Sequence, residues 1–190
     1  MFGNTGFGGL LKKTTHGTEV RKQGNKPYFR KFEGLLQRSH ILYGLNPERI
    51  LIAAEAIGLG MAALRKASDY ARERVVFNRA IGKNQAIQHP LAASWAELQA
   101  TWLQVLKAAW LYDKGLPCGA DANAAKYLAG EAGFKACERA VMTHGGFGYA
   151  REYHVERYLR EIMIPRIAPV SPQLALCYIA ERVLNLPKSY

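Results

Sequence analysis

The stretch ERVVFNRAIG, residues 73–82, decides the interpretation of this chain of 190 residues. It follows a long segment whose apolar residues recur at helical spacing, and two glutamines, Gln85 and Gln88, come just after it. A second motif, HGGFGY, stands at residues 144–149. Each motif alone is a weak signal, because glycine turns and helix-end arginines are common. Their order and separation together are specific.

Long helices are predicted on both sides of the first motif. Asn46 and Pro47 offer an N-cap and a proline at the first helical position, so a helix is expected to begin there and to run to about Arg74. The next helix is expected to stop at KGLP, residues 114–117, with glycine at the C-cap and proline beyond it. The predicted helices cover residues 46–74, 84–113, 120–143, 154–163 and 171–184, and no strand is predicted.

The predicted fold class is therefore all-α, an up-down four-helix bundle with an additional C-terminal helix. Apolar residues at helical spacing are usually core, and Trp95, Trp102 and Trp110 are expected there. Gly58 and Gly60 weaken the first helix, which predicts close approach of another backbone or a ligand. The other expected core positions are Ile50, Ala53, Ala54, Ile57, Met61, Leu64, Ala67, Ile87, Leu91, Leu98, Val105, Leu106, Ala109, Ala124, Tyr127, Leu128, Phe134, Cys137 and Val141.

Residues 1–40 differ from the rest of the chain in composition. They are glycine-rich and basic without sustained periodicity, so a flexible basic arm is predicted ahead of a helical domain at residues 41–190, with order beginning near Phe32. The arm carries much of the net charge of +11, which therefore says little about a binding groove. No recognised nucleic-acid motif accompanies the arm, and nucleic acid is not an expected partner.

The remaining composition points to a reducing compartment. Cys118, Cys137 and Cys177 stand far apart without paired spacing and are expected to be packing residues. His144 and His154 lack metal-ligand spacing on one helix, so both are interpreted as structural and no metal site is expected. No uncharged apolar run approaches the roughly 20 residues of a membrane helix, and no secretory signal is recognised. The expected location is the cytoplasm, or the mitochondrial matrix in a eukaryote.

With these motifs in this order, residues 40–186 resemble the C-terminal helical domain of the acyl-CoA dehydrogenases, flavoproteins that desaturate acyl thioesters. In that family the domain supplies part of an FAD site and one wall of an acyl-CoA tunnel. Family members are much longer, because a helical domain and a β-domain that holds much of the flavin precede the bundle. The resemblance therefore implies a truncated chain or one part of a split enzyme.

The resemblance also assigns cofactor contacts. Arg74 corresponds to the arginine that meets the FAD pyrophosphate, usually of the neighbouring subunit, and Gly145 and Gly146 match the pair beside the adenosine half. Two departures weaken the pattern, since Asn78 replaces a glycine and Met142 replaces a glutamine. Without the resemblance, a solvated helix-end arginine and a simple helix stop explain these residues as well. The other implied cofactor residues are Phe77, Gln85, Ser171 and Gln173.

The catalytic base is the sharpest question. The chemistry needs a carboxylate beside the α-carbon of the thioester, which takes a proton while the β-hydrogen leaves as hydride to the flavin. Many members carry this glutamate late in the chain, where Pro169 stands here. A subgroup resembling the isovaleryl- and long-chain-specific enzymes has a Glu-Arg pair on the first bundle helix, here Glu48 and Arg49. The resemblance therefore implies Glu48 as the base, although a first-turn acid favoured by the helix dipole is the residue-level alternative.

Substrate contacts follow from the same resemblance. Arg49 is implied beside the base, and Tyr149 near the rim of the active site, where packing is an equal alternative. At the position of Pro169 the family uses a backbone N–H to polarise the thioester carbonyl, which proline lacks. Three alternatives remain for this missing donor. The N–H of Val170 takes its place, the register of the loop differs by one residue, or activation of the carbonyl rests more on the flavin ribityl hydroxyl.

The sequence is compatible with two candidate functions. The first is the C-terminal domain of an FAD-dependent acyl-CoA dehydrogenase, with an acyl-CoA substrate and an electron-accepting flavoprotein as partner. It would form a homo-oligomer or join a chain that supplies the missing N-terminal domains. The second is a non-catalytic bundle that binds full-length relatives through the family's helical oligomer interface. Acyl chain length cannot be predicted from these residues.

Overall fold

A computed structural model describes the backbone of residues 28–189 and the side chains of residues 44–189. The chain divides into two compact units, residues 1–42 and 43–190, of which the second is the helical bundle. Of the predicted arm, residues 1–27 lie outside the described part. Helix α1 spans Tyr28–Glu73, so helical structure begins four residues before Phe32, where order was predicted to begin, and includes residues 28–40 of the predicted arm. The glycines behind that prediction lie almost all before residue 25.

Helix α1 does not begin at Asn46 as predicted, because Asn46 and Pro47 lie inside it. The side chain of Asn46 is engaged elsewhere, since its Oδ1 accepts a hydrogen bond from Nη1 of Arg49 at 3.1 Å. Pro47 has no N–H to donate, so the helix lacks one backbone hydrogen bond there. Glu48 is consequently not in a first turn, and the helix dipole does not account for it.

A small antiparallel hairpin follows α1, where no strand was predicted. Strand β1 (Val75–Val76) pairs with β2 (Arg79–Ala80). The turn residues Phe77 and Asn78 have φ of 50° and 62°, the pattern of a type I′ turn. This conformation is common for asparagine and unusual for phenylalanine. Strands of two residues carry no periodicity, so the sequence pattern could not reveal them. The 3₁₀ turn Ile81–Lys83 comes next.

The two central helices match their predicted limits closely. Helix α2 spans Gln85–Asp113 and helix α3 spans Gly119–His144. Gly115 after α2 has φ of 65°, which glycine adopts without strain, so the predicted stop is confirmed. A 3₁₀ turn, Gly145–Tyr149, ends α3 at the glycine pair. The all-α fold class is confirmed.

The C-terminal part is a series of short helices. They are the 3₁₀ turn Arg151–Tyr153, α4 (Val155–Glu161), α5 (Met163–Ile167) and α6 (Pro172–Arg182). The predicted helix at residues 154–163 is therefore shorter than expected, and α5 follows it almost directly. Ser171 caps α6, because its Oγ accepts a hydrogen bond from the N–H of Leu174 at 3.3 Å.

Small residues form the core between α1, α2 and α3. A Cβ added to Gly60 would lie 3.1 Å from Cα of Gly133 and 2.8 Å from Cδ2 of Leu98, so the predicted close approach is confirmed there. Gly58 has nothing within 4 Å, and a neighbouring backbone of this chain does not explain it. The buried alanines of α3 are Ala122, Ala125, Ala129, Ala132, Ala136 and Ala140.

The core predictions hold for α1 and in part for α2, where Leu91, Leu98 and Val105 are buried as predicted and the tryptophans are not. Trp95, Trp102 and Trp110 are exposed to 57%, 36% and 55%, so their expected place in the core is wrong within this chain. The small residues of α3 bring α2 close, so the space between the two helices is filled by side chains of α2 that are smaller than tryptophan. The residues that α2 buries are Leu91, Ser94, Leu98, Thr101, Val105 and Ala108. The predicted α1 residues that are buried are Ile50, Ala53, Ile57, Leu64 and Ala67.

Helix α3 shows the same difference. Of its predicted core residues, Cys137 is buried, whereas Leu128 is 42% exposed. The alanine face packs inward, and the larger apolar side chains lie along its flanks.

One stretch of the described residues, Val155–Arg182, is long and apolar enough by composition to cross a membrane, with a mean hydropathy of 1.3. It consists of the separate helices α4, α5 and α6 rather than one continuous helix. A membrane-spanning helix must keep its backbone hydrogen bonds throughout the bilayer. This stretch is therefore weak evidence for a membrane span.

Candidate functional site

A groove of about 440 Å³ opens where the C-terminal end of α1 meets the end of α3. The two motifs of the sequence, residues 73–82 and 144–149, meet in this groove. It brings together Arg74, Gly145 and Gly146, as predicted. The full set of lining residues is Tyr70, Arg74, Val76, Ile81, Met142, Thr143, His144, Gly145, Gly146 and Phe147.

Arg74 provides a positive charge at this groove. Its side chain is exposed, and its guanidinium carbon lies 5.4 Å from the centre of the Phe147 ring. Among the described residues, no carboxylate forms an ion pair with Arg74. A guanidinium placed on an aromatic ring, with its donors open, suits the paired oxygens of a phosphate.

The three glycines of the turn, Gly145, Gly146 and Gly148, differ in whether the structure requires a residue without a side chain there. Gly145 has φ of 59°, so it supplies a backbone conformation that other residues rarely adopt. A Cβ on Gly148 would lie 2.4 Å from the carbonyl oxygen of Val141, so this glycine is needed for packing. Gly146 has neither constraint, because a Cβ there would meet no atom of the described residues within 4 Å. A ligand can therefore approach the backbone at Gly146.

An aromatic cluster lies beside the glycine pair. The His144 ring stacks on Tyr70 at 4.2 Å and meets the edge of Tyr153 at 5.6 Å. Nδ1 of His144 lies 2.8 Å from the carbonyl oxygen of Ala140, to which it donates in the Nδ1–H tautomer. Burial lowers the pKa of His144, so the neutral ring is favoured. The spacing of the histidines predicted only a structural role for His144, although its position directly before the glycine pair was a signal that it lines the groove.

Glu48 lies far from this groove. It precedes Arg74 by 26 residues along α1, which corresponds to about 39 Å at 1.5 Å per residue. Its side chain is exposed. Within one chain, the predicted base and the predicted phosphate contact therefore lie at opposite ends of the bundle.

Arg49 is buried next to Glu48, with only 5% of the residue exposed. Burial lowers the pKa of its guanidinium. Its Nη1 donates a hydrogen bond to Asn46, while its Nε is buried and has no hydrogen-bond partner among the residues whose side chains the structure describes. Within the described residues Arg49 is thus a buried neighbour of the exposed Glu48, and its substrate contact stays a prediction.

Helix α6 packs at the same end of the bundle as Glu48. Tyr178 of α6 interacts electrostatically with Arg49, and a Cβ on Gly119 would lie 2.3 Å from the Tyr178 hydroxyl. Ser171 and Gln173 stand at the start of α6. The Ser171 hydroxyl already accepts the helix-capping hydrogen bond, whereas Gln173 is exposed.

The sequence of this chain matches the model for the family described as "Acyl-CoA dehydrogenase, C-terminal domain" over residues 39–184. This chain belongs to the acyl-CoA dehydrogenase family.

Individual relatives agree with this assignment. An acyl-CoA dehydrogenase of Mycobacterium bovis is 44% identical over 154 residues, which cover 80% of this chain and 40% of that protein. The caffeyl-CoA reductase-Etf complex subunit of Acetobacterium woodii is 34% identical over 147 residues, covering 77% of this chain and 39% of that protein. A glutaryl-coenzyme A dehydrogenase solved with glutaryl-CoA is 34% identical with a TM-score of 0.74, covering 78% of this chain and 38% of the other.

This acyl-CoA dehydrogenase domain thus spans about two-fifths of the length of the curated relatives it matches. Its remaining predicted site residues lie outside the groove. Phe77 is 95% exposed at the hairpin tip and Tyr149 is 90% exposed at the end of the glycine turn. Gln85 is exposed at the first position of α2.

The groove of this domain fits the phosphate-bearing half of FAD. Arg74 offers charged donors, and the space beside Gly146 admits a ligand close to the backbone. Met142 is 74% exposed at the wall, so an apolar side chain stands where the family has an amide. The fit between the groove and the phosphate-bearing half of FAD is therefore electrostatic and steric, with one polar contact fewer than the family pattern provides.

Proposed function

We propose that this chain is the C-terminal domain of an FAD-dependent acyl-CoA dehydrogenase, which desaturates the α,β bond of an acyl-CoA thioester. The observation that carries the proposal is the separation of about 39 Å along α1 between Glu48 and the Arg74 groove. One FAD does not reach across this length. Each chain would therefore contribute Arg74, Gly145 and Gly146 to one cofactor and Glu48 to another, held with a second polypeptide.

The chain's own residues then have separate tasks. Arg74 holds phosphate oxygens, and the open backbone at Gly146 allows close approach of the adenosine half. Glu48 takes the α-proton of the thioester on its carboxylate while the β-hydrogen leaves with its electron pair. Bound FAD would supply the acceptor for that hydride. Buried Arg49, bonded to Asn46, fixes the helix segment that carries Glu48.

The partners proposed for this domain follow from the same assignment. Acyl-CoA is the substrate, and the remaining domains come from the same polypeptide in a longer form or from another chain. An electron-transferring flavoprotein is the proposed electron acceptor, which the Etf complex subunit among the relatives supports.

The cofactor part is tested by the visible spectrum of the purified protein together with the chain that supplies the missing domains. Near-stoichiometric flavin bands are expected, and Arg74→Ala should reduce them severalfold. Arg72→Ala is the matched control, since Arg72 is an exposed neighbour that pairs with Asp69. Equal flavin retention in both variants would remove Arg74 from the cofactor site.

The catalytic part is tested by Glu48→Gln in the same assembly. Desaturation should be abolished while the flavin bands remain, because the amide cannot take the α-proton. Retained turnover would mean that the base lies elsewhere.

A second candidate function is that of a non-catalytic bundle that joins full-length relatives. It is favoured by two of the departures from the family pattern: Pro169 lacks the backbone N–H expected to polarise the thioester carbonyl, and Met142 stands at the groove wall in place of a glutamine. Protein without flavin that copurifies with a longer homologue would support this candidate. Flavin near stoichiometry with turnover would exclude it.

A further inference from the structure

An aromatic ring restrains the end of the Arg74 side chain. The backbone of Arg74 is fixed, because its N–H donates a hydrogen bond to the carbonyl oxygen of Tyr70 at 2.8 Å and its carbonyl oxygen accepts one from the N–H of Ile81 at 2.9 Å. Within the described residues, its guanidinium has no ion-pair or hydrogen-bond partner. The group that lies against it is the Phe147 ring, 5.4 Å from the guanidinium carbon.

A ring contact of this kind leaves the hydrogen-bond donors of arginine available. The N–H groups lie in the plane of the guanidinium, whereas the attraction between a cation and a ring acts through the ring face. A carboxylate partner would instead occupy two of these donors, which are the ones that a phosphate needs. Phe147 can therefore restrain Arg74 without competing with an anionic ligand.

Phe147 is itself held by a cluster of four rings, here called the ring cluster: Tyr70, His144, Phe147 and Tyr153. Tyr153 stands at its centre, because its ring lies 5.2 Å from the Phe147 ring and 5.6 Å from the His144 ring. It also meets the Tyr70 ring edge-on at 5.8 Å. Aromatic pairs at such separations attract each other. His144 is buried and Phe147 is 43% exposed, so the ring under Arg74 is anchored to the protein interior.

The ring cluster joins the two motifs across the groove. Tyr70 stands one turn before Arg74 on α1, and its carbonyl oxygen is the acceptor of the Arg74 N–H. His144 ends α3, and Tyr153 belongs to the 3₁₀ turn Arg151–Tyr153. The backbone and the side chain of Arg74 are thus attached to the same cluster. A side chain that is restrained before a ligand binds loses less conformational entropy on binding.

We propose that Phe147 is a positioning residue, which holds the Arg74 guanidinium at the groove before the phosphates of FAD arrive, and that Tyr153 holds Phe147 in turn. The inference rests on the proposed function, because it takes Arg74 as the phosphate contact of FAD. The competing role for Phe147 is direct stacking on the ligand. In that role the ring acts without Arg74, whereas a positioning residue acts only through it.

The contact is tested first in the full chain without a cofactor. The ring current of Phe147 should shift the NMR signals of the protons at the end of the Arg74 side chain upfield. Phe147→Leu should remove this shift and Phe147→Tyr should retain it. Tyr153→Leu should reduce it, because Phe147 then loses its anchor. Absence of the shift in the wild type, or its persistence in Phe147→Leu, would overturn the proposal whatever FAD binding shows.

The consequence for the cofactor is tested by titrating FAD into the flavin-free protein, assembled with the chain that supplies the missing domains. Phe147→Leu should raise the Kd for FAD about two- to tenfold, which is the cost of ordering one long side chain on binding. Added to Arg74→Ala, it should change the Kd less than about twofold. Phe147→Tyr should bind FAD like the wild type. Tyr158→Leu is the matched control, since Arg157 lies 5.3 Å from the Tyr158 ring outside the groove.

The outcomes of the titration separate the inference from the proposed function. If Arg74→Ala binds FAD like the wild type, the cofactor role of Arg74 is refuted, and the inference falls with it. If Arg74→Ala weakens binding but Phe147→Leu does not, only the inference is refuted. Equal effects of Phe147→Leu with and without Arg74 would likewise refute it, because the ring then acts on the ligand or on the turn directly. Circular dichroism checks that each variant is folded.

Discussion

Three glycines in one turn show how differently single residues contribute to this site. Gly145 is needed for its backbone conformation and Gly148 for packing, whereas Gly146 has no structural reason to lack a side chain. The sequence predicted Gly145 and Gly146 together as cofactor contacts. Only the structure distinguishes their roles: the backbone angles of Gly145 shape the turn, whereas the open space around Gly146 leaves room for a ligand.

Alanine substitutions should separate these parts. Gly145→Ala should cost roughly 1–3 kcal/mol, because φ of 59° with ψ of −134° is a conformation that only glycine adopts readily. Gly148→Ala should cost about 1–3 kcal/mol, since its Cβ would meet the backbone of Val141. Gly146→Ala should change the free energy of unfolding by less than about 1 kcal/mol, and yet reduce flavin retention in the assembled protein. Urea unfolding and flavin absorbance measure the two effects, and a strongly destabilised Gly146→Ala variant would contradict this division.

At the scale of elements, the close crossing of α1 and α3 depends on glycine rather than on large apolar side chains. A Cβ on Gly133 would lie 2.7 Å from the carbonyl oxygen of Ala56 and 2.7 Å from Cδ1 of Ile162. Backbones that approach this closely leave little room for side chains between them. This explains why alanines form the buried face of α3, while its larger residues lie on the flanks.

Gly133→Ala is therefore expected to destabilise the bundle by about 1–3 kcal/mol through overpacking. Gly58→Ala is the matched change, because Gly58 is also inside a helix but has open space around it. It should stabilise the protein by roughly 0.5–1 kcal/mol through helix propensity. Denaturant unfolding measures the change in the free energy of unfolding for each variant. If both changes have the same sign, helix propensity determines the effect of Gly133→Ala and the close helix crossing does not.

At the scale of the whole molecule, one buried lysine fastens the C-terminal helices to the bundle. Lys126 is 1% exposed on α3, and its Nζ donates a hydrogen bond to the carbonyl oxygen of Arg166 at 2.8 Å. The Arg166 side chain in turn pairs with Glu131 at 3.0 Å and lies over the Phe134 ring at 4.3 Å. Residues far apart in the chain thus hold α5 against α3.

Burial lowers the pKa of Lys126 from 10.5 to about 8, which predicts a pH dependence of stability. Between these two values the unfolded chain still binds the proton that the folded chain has released, so the contribution to stability rises with pH in this window. The free energy of unfolding of the wild type minus that of Lys126→Met should therefore increase from about pH 8 towards 10.5 and stay flat at lower pH. If the free energies of unfolding of the wild type and of Lys126→Met, measured with urea, change in parallel with pH, the lowered pKa of Lys126 is contradicted.

The ends of most elements could be predicted from the sequence, because local hydrogen bonding and backbone angles determine them. Gly115 follows the end of α2 as predicted, and α6 begins at Pro172, close to the predicted residue 171. The start of α1 was missed because the side chain of Asn46, which resembles a cap, binds Arg49 instead. The hairpin at residues 75–80 was missed because strands of two residues leave no pattern.

The amino-acid sequence by itself determined the helices, the family and the residues of the two motifs, since each depends on local spacing. Only the tertiary structure decided which face of each helix is buried, because helical periodicity marks an apolar stripe without naming its partner. Helix α2 has two such stripes, and the shallow alanine surface of α3 accepts the one with Leu98 and Val105. The structure likewise places Glu48 near the middle of α1 and Arg74 directly after its end, about 39 Å apart, since a helix converts separation along the chain into distance.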